Sequence, residues 1–184
     1  MRVLGLVCSP RLNGNTEILV QKVLSSIQEQ GVDTEMIHVA KKHILPCDGC
    51  GSCRKDSKCC VNDNMQEIYS NMLSVDGIII GTPVYFWSIS AQAKIIIDRT
   101  YSLLHHRLLR NKVAGIVVVA KRAGCTSAFN LLQGVINLHR MHLAGGVTGF
   151  GDKKGDVLND ADGINQTAAL GKAMVTLMKK FCLV

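Results

Sequence analysis

Four continuous apolar runs, at residues 3–8, 77–81, 113–120 and 145–151, constrain the fold more than any other feature of this chain. They do not alternate polar with apolar residues, so each reads as a strand buried on both faces, as in the middle of a parallel sheet. A weaker run, residues 34–39, does alternate and reads as an edge strand. Between the runs lie amphipathic stretches at residues 16–30, 63–73, 90–106, 127–143 and 162–181, which predict helices. Strand and helix alternate about five times, and right-handed crossovers then give a doubly wound three-layer α/β sandwich. No repeat, low-complexity tract or linker divides residues 1–184, so a single domain is expected. The one long irregular segment, about residues 40–62, carries most of the cysteines.

Several function classes fall away at this point. No apolar run reaches the roughly 18 residues needed to cross a bilayer. The N-terminal MRVLGLVCSP is too short for a signal-peptide core and lacks a cleavage site, so it reads as a first buried strand in a cytoplasmic chain. The net charge of +7 comes from scattered lysines and arginines with no recognition-helix or zinc-finger pattern, which argues against nucleic acid. An anionic cofactor or an acidic redox partner suits that charge better. Five of eight cysteines fall between Cys47 and Cys60, a clustering unlike a secreted disulfide framework and indicative of metal or redox chemistry. Cys8 and Cys182 read as small packing residues.

The first strand ends in Ser9-Pro10-Arg11-Leu12-Asn13-Gly14-Asn15-Thr16, followed directly by a helix. Neither of the common glycine-rich nucleotide loops is present. The loop offers hydroxyls, amides, one arginine and the free N–H groups of a helix N-terminus, a set suited to a terminal phosphate. A dinucleotide pyrophosphate would need more glycine, and the second strand ends without the acidic residue that binds a ribose diol. The plainer alternative is helix capping by Asn15 or Thr16. That leaves Ser9, Arg11 and Asn13 unexplained.

The third strand ends in Gly81-Thr82-Pro83-Val84-Tyr85-Phe86-Trp87-Ser88. Three consecutive aromatics on a loop cannot all enter one core, and a flat ligand across this strand end would touch some of them. The cysteine segment reads Cys47-x2-Cys50-x2-Cys53-x5-Cys59, with Cys60 adjacent. Three cysteines at this interval match the wrapping of a four-iron cluster in bacterial ferredoxins. Zinc on four thiolates and a metal-free cysteine loop are the alternatives. His105, His106, His139 and His142 lie near helix ends among arginines and read as cationic caps. Cys125 reads as structural.

Taken together, the residue 9–16 loop, the Gly81–Phe86 segment and Ser90-Ala-Gln-Ala-Lys-Ile-Ile-Ile-Asp-Arg99 resemble the NADPH-dependent FMN reductase-like branch of the flavodoxin superfamily. With the cysteine pattern, the chain resembles the iron–sulfur flavoproteins within that branch. The resemblance implies a flavodoxin-like three-layer sandwich with a five-stranded parallel sheet in the order 2-1-3-4-5. It implies an oxidoreductase with FMN phosphate at Ser9, Arg11, Asn13, Asn15 and Thr16, and the ring against Pro83, Val84, Tyr85, Phe86 and Trp87. Lys121 and Gly124, at the fourth strand end, would close the other side. It also implies a [4Fe–4S] cluster on Cys47, Cys50, Cys53 and Cys59, ferredoxin as electron donor with NAD(P)H as the alternative, and homodimers or homotetramers. Trp87 stands where many relatives have glycine, and Asp63-Asn64 replaces the usual acidic pair.

Overall fold

The computed structural model describes residues 1–181, so the expectation for Cys182 lies outside the described residues. The strands are β1 (Arg2–Val7), β2 (Asp33–His38), β3 (Gly77–Tyr85), β4 (Ser88–Ile89), β5 (Val113–Ala120) and β6 (His142–Phe150). The helices are α1 (Asn15–Gln28), α2 (Met65–Ser74), α3 (Ala91–Arg99), α4 (Tyr101–Leu104), α5 (Cys125–Leu138) and α6 (Ala161–Phe181). Five strands pair in parallel in the order β2-β1-β3-β5-β6. The expectation of five strands needs one correction: β4 pairs antiparallel with the end of β3 and makes a sixth.

The sheet is covered on both faces, as its apolar strands require. Alternate residues of β1, β3 and β5 face two cores. Leu4, Leu6, Ile78, Ile80 and Ile116 pack with α2, α3 and α5, while Val3, Val7, Ile79 and Val117 pack with α1 and α6. Gly81 lets α1 sit directly on β3, because a Cβ there would lie 2.4 Å from Val20 and 3.2 Å from Thr16. That close approach brings the N-terminus of α1 over the strand ends.

Three boundaries differ from the periodicity reading. The stretch 90–106 is two helices, broken at Thr100, whose Oγ1 donates to the Ile97 carbonyl (2.7 Å). The stretch 127–143 is helical only to Leu138. Arg140, at φ +57°, then reverses the chain, and β6 starts at His142. Its edge pairing with β5 outweighs the helical look of His142-Leu-Ala. Finally, β3 continues past Gly81, because Thr82 and Pro83 keep pairing with Val118 and Val119 of β5.

Candidate functional site

The C-terminal ends of β1, β3, β5 and β6 open on a cavity of about 210 Å³. Ser9, Arg11, Gly14, Asn15 and Thr16 line one side, Pro83, Val84 and Tyr85 another, and Lys121, Gly151 and Asp152 the rest. Ser9 and Thr16 are buried there, while Arg11 is exposed at the mouth. Ser9 Oγ accepts the Arg11 N–H (3.1 Å) and so shapes the turn. Helix α1 begins at Asn15 behind Gly14, and no side chain caps it. The capping alternative for Asn15 and Thr16 is therefore corrected: the cap position is Gly14, which gives the first-turn N–H groups no side-chain partner, and the first turn lines the cavity. Ser90 ties the neighbouring strand end in place. It accepts the Ala93 N–H (3.2 Å) at the start of α3 and donates to the Cys8 carbonyl.

Two residues assigned to the anion loop behave differently from the rest. Asn13 is exposed in a left-handed conformation (φ +51°), does not line the cavity, and its N–H donates to the Glu17 carboxylate. Asn15 lines the cavity, but its amide is engaged: Nδ2 donates to the Lys153 carbonyl (2.8 Å) and Oδ1 accepts the Gly155 N–H (2.8 Å). It clamps the loop after β6 onto α1. Gly151 completes that clamp, since a Cβ there would meet Asn15 Nδ2 at 2.7 Å and the Val157 nitrogen at 2.9 Å. Val119, Ala120, Gly151 and Asp152 also line the cavity and were not legible as site residues. Lys121 pairs with Asp152 (2.6 Å) across the mouth, and that contact, first of all, lowers the Asp152 pKa.

A wider groove of about 730 Å³ shares Arg11, Val84, Tyr85 and Lys121 with the cavity, and adds Phe86, Trp87, Arg122 and Ala123. Phe86 and Trp87 form the two-residue turn between β3 and β4, both at positive φ (+46° and +62°). Such turns ordinarily use Asn or Gly. The two residues are 97% and 67% exposed, so they border the groove rather than bury themselves in it. Gly124, at φ +94°, lies behind the turn; a Cβ there would come within 2.8 Å of Val84.

A second pocket, about 490 Å³, shares no lining residue with these two. Cys47, Cys50, Cys53, Cys59 and Cys60 line one side of it; Ile97, Tyr101, Leu104, Val135, Leu138 and His139 line the other. Cys53 is buried and Cys59 half-buried, while Cys47, Cys50 and Cys60 are exposed. Burial pushes the Cys53 thiol up, and negative charge on Cys59, Cys47 and Cys50 pushes the same way. Those three are the other members of the expected quartet. Cys60 instead faces Cys50, with the two Sγ atoms 3.5 Å apart. Ser52 Oγ donates to Cys50 Sγ (3.3 Å) and is the main cause of that thiol's lowered pKa. Among the described residues no three His, Cys, Asp or Glu side chains converge on a single point as for one metal ion. The donor set itself, four thiols on one apolar-backed pocket, is of the chemistry that an iron–sulfur cluster requires.

What holds the cysteine segment in place is a set of residues that local pattern did not disclose. Its ends meet where Asn64 Oδ1 accepts the His43 N–H (2.7 Å) and Asp63 Oδ2 accepts the Leu45 N–H (2.8 Å). Arg99, buried on α3, donates to the Leu45 and Val61 carbonyls (2.8 and 3.2 Å) and forks onto Asp63. Burial pushes the Asp63 pKa up, but hydrogen bonds from Arg99 and from the Leu45 and Met65 N–H groups leave it lowered. The Asp63-Asn64 pair thus closes the cysteine segment. His139 is no cationic cap: it is buried, burial lowers its pKa, and its Nε2 lies 2.9 Å from Thr100 Oγ1. Because that hydroxyl donates to Ile97, Nε2 must be the donor in this pair. Cys125 is buried, its thiol pushed up by that burial, which agrees with a structural role. Cys8 is wholly buried and pushed up to about 12.

Comparison with known proteins gives concordant matches. The family described as NADPH-dependent FMN reductase matches residues 1–154. An iron–sulfur flavoprotein of Methanocaldococcus jannaschii is 38% identical over 189 residues, covering 97% of this chain and 98% of that protein. An iron–sulfur flavoprotein of Methanosarcina thermophila is 31% identical, covering 82% of this chain and 81% of its own length. Among solved structures, RosB with a bound 8-demethyl-8-formylriboflavin-5'-phosphate intermediate superposes with a TM-score of 0.80. It is 15% identical and covers 100% of this chain and 81% of its own, which speaks for the fold.

Proposed function

The chain belongs to the iron–sulfur flavoproteins of the NADPH-dependent FMN reductase family and is a flavin-dependent oxidoreductase, and on that premise we propose that it passes electrons between a [4Fe–4S] cluster and FMN. The observation that carries the proposal is the cysteine pocket. Cys47, Cys50, Cys53 and Cys59 all line it, opposite an apolar wall. When bound, the cluster supplies one-electron steps and FMN two-electron storage. The rest falls to the protein. Arg11 brings a positive charge to the FMN phosphate, Ser9 and Thr16 bring hydroxyls, and the first turn of α1 brings N–H groups and its dipole. Asn15 positions that turn through its clamp on residues 153 and 155. Pro83, Val84, Tyr85 and Lys121 wall the ring side, Phe86 and Trp87 border it, and Gly124 gives the β3–β4 turn room. Ile97, Tyr101, Leu104, Val135 and Leu138 would give the cluster an apolar wall on one side, while Cys47 and Cys50 stay open to solvent.

Ferredoxin is the electron donor in this reading, with NAD(P)H the rival. The chain acts as one unit over residues 1–184, in homodimers or homotetramers, in the cytoplasm, where thiols stay reduced. No helix among the described residues is long and apolar enough to cross a membrane. Iron and sulfide analysis of anaerobically purified protein tests the assignment: about four irons per chain are expected. Zinc in place of iron sinks the cluster. Flavin bleaching by NAD(P)H but not by reduced ferredoxin transfers the donor role. The Cys59→Ser chain is expected to lose its iron, and the Cys60→Ser chain to keep it.

A further inference from the structure

The cysteine segment holds one thiol more than a four-iron cluster uses, and that thiol is not idle in position. Cys60 Sγ lies 3.5 Å from Cys50 Sγ, and both residues are exposed. A disulfide bond is about 2.05 Å long, so the pair needs to close by only about 1.5 Å. The backbone around Cys50 has room for this. No helix or strand includes residues 42–51, and Gly49 and Gly51 on either side of Cys50 adopt φ of +73° and +74°. Cys53, by contrast, is buried, and Cys59 packs against the hydrophobic core.

We propose that Cys60 is a resolving thiol that closes on Cys50 as a disulfide when the cluster is absent. It rests on the cluster reading above only in treating Cys50 as a ligand and Cys60 as spare. The oxidant is a low-molecular-weight disulfide. The Cys50 thiolate attacks one of its sulfurs, forming a mixed disulfide and releasing one small thiolate. The Cys60 thiolate then attacks the Cys50 sulfur, forming the Cys50–Cys60 bond and releasing the second. Two protein thiols are oxidised, one external disulfide is reduced to two thiols, and the two protons pass to the leaving thiolates. The bond parks a ligand in a form that a dithiol restores, in place of irreversible oxidation of the exposed sulfur. It also makes cluster assembly on an oxidised chain wait for a reductant.

The test uses the full-length chain stripped of metal and treated with oxidised glutathione, followed by alkylation and tandem mass spectrometry. The expected result is loss of two alkylatable thiols, with Cys50–Cys60 the predominant cross-link. In the Cys60→Ser chain, whose exposed position tolerates the change, glutathione is expected to persist on Cys50. Cross-linking of Cys50 chiefly to Cys47, Cys53 or Cys59 overturns the proposal, as does glutathione persisting on Cys50 in the unsubstituted chain. Iron analysis separates the two readings. A chain that takes up no iron yet forms this cross-link loses only the cluster assignment; one that takes up iron without forming it loses only the disulfide.

Discussion

Asp63 Oδ2 lies 2.7 Å from Arg99 Nη1, and Asp63 Oδ1 lies 3.2 Å from Arg99 Nη2, with the two side chains 1% and 0% exposed. The same guanidinium holds the carbonyls of Leu45 and Val61, and the same carboxylate holds the N–H of Leu45. One buried pair therefore pins both ends of the cysteine segment to α3. A planar fork with several fixed donors suits this task, and a lysine ammonium would not reproduce it.

Removing one partner leaves the other as an uncompensated buried charge. Arg99→Ala is expected to cost about 3–5 kcal/mol, read from urea unfolding of the metal-free chain. Iron retention should fall with it, since the segment loses its anchor. A loss under about 1 kcal/mol would show that the pair is not buried in solution as it is here.

The lowered Asp63 pKa makes this contribution pH-dependent. The carboxylate is held below its ordinary value of about 3.9 in the folded chain, so the stabilisation is fully present above that value. It is lost as the pH falls from there through the folded pKa. Urea midpoints measured from neutral pH downward should drop in this acid range for the unsubstituted chain. The Asp63→Asn chain, less stable throughout, should show a shallower drop.

At the mouth of the cavity proposed for FMN, Arg11 and Asn13 should separate cleanly. Arg11 lines the cavity and Asn13 does not. A hydrogen bond to a charged group is worth about 1.5–3 kcal/mol, so Arg11→Ala should weaken FMN binding about 10- to 150-fold. Asn13→Ala should stay within about 0.5 kcal/mol of the unsubstituted affinity. Quenching of FMN fluorescence on titration measures both, and equal losses would contradict the cavity lining.

Trp87 is mostly exposed and sits at φ +62°. Glycine adopts that backbone without the steric cost of a Cβ. Trp87→Gly is expected to leave stability unchanged or raise it by about 1 kcal/mol, as thermal unfolding would report. A clear loss of stability would mean that the indole packs against something in solution. FMN affinity of the same variant would then report whether that partner is the ring.

Much of this was legible in one dimension because it depends on local spacing. Continuous apolar runs require two-sided burial, and the five parallel strands follow. The composition of residues 9–16 pointed to an anion loop at a helix start, and α1 does begin there, beside a cavity. Other features have no local signature. At the helix break, Thr100 bonds its own preceding turn and meets His139, the residue just past α5. The extension of β3 to Tyr85 depends on pairing with β5 and β4. Asn15 looked like a ligand because of its place in the loop, yet its amide reaches a segment 138 residues away.

By itself, then, the sequence determined the α/β layering, the helix start after residues 9–14 and the presence of a cysteine-rich segment. Each follows from burial periodicity or from residue chemistry within a short window. Only the tertiary structure decided that Arg99 on α3 meets Asp63 across 36 positions, and that Cys53 is buried while Cys60 faces Cys50. A pairing between distant residues is set by how the helices and loops pack on the sheet, and no spacing rule within one segment contains that information.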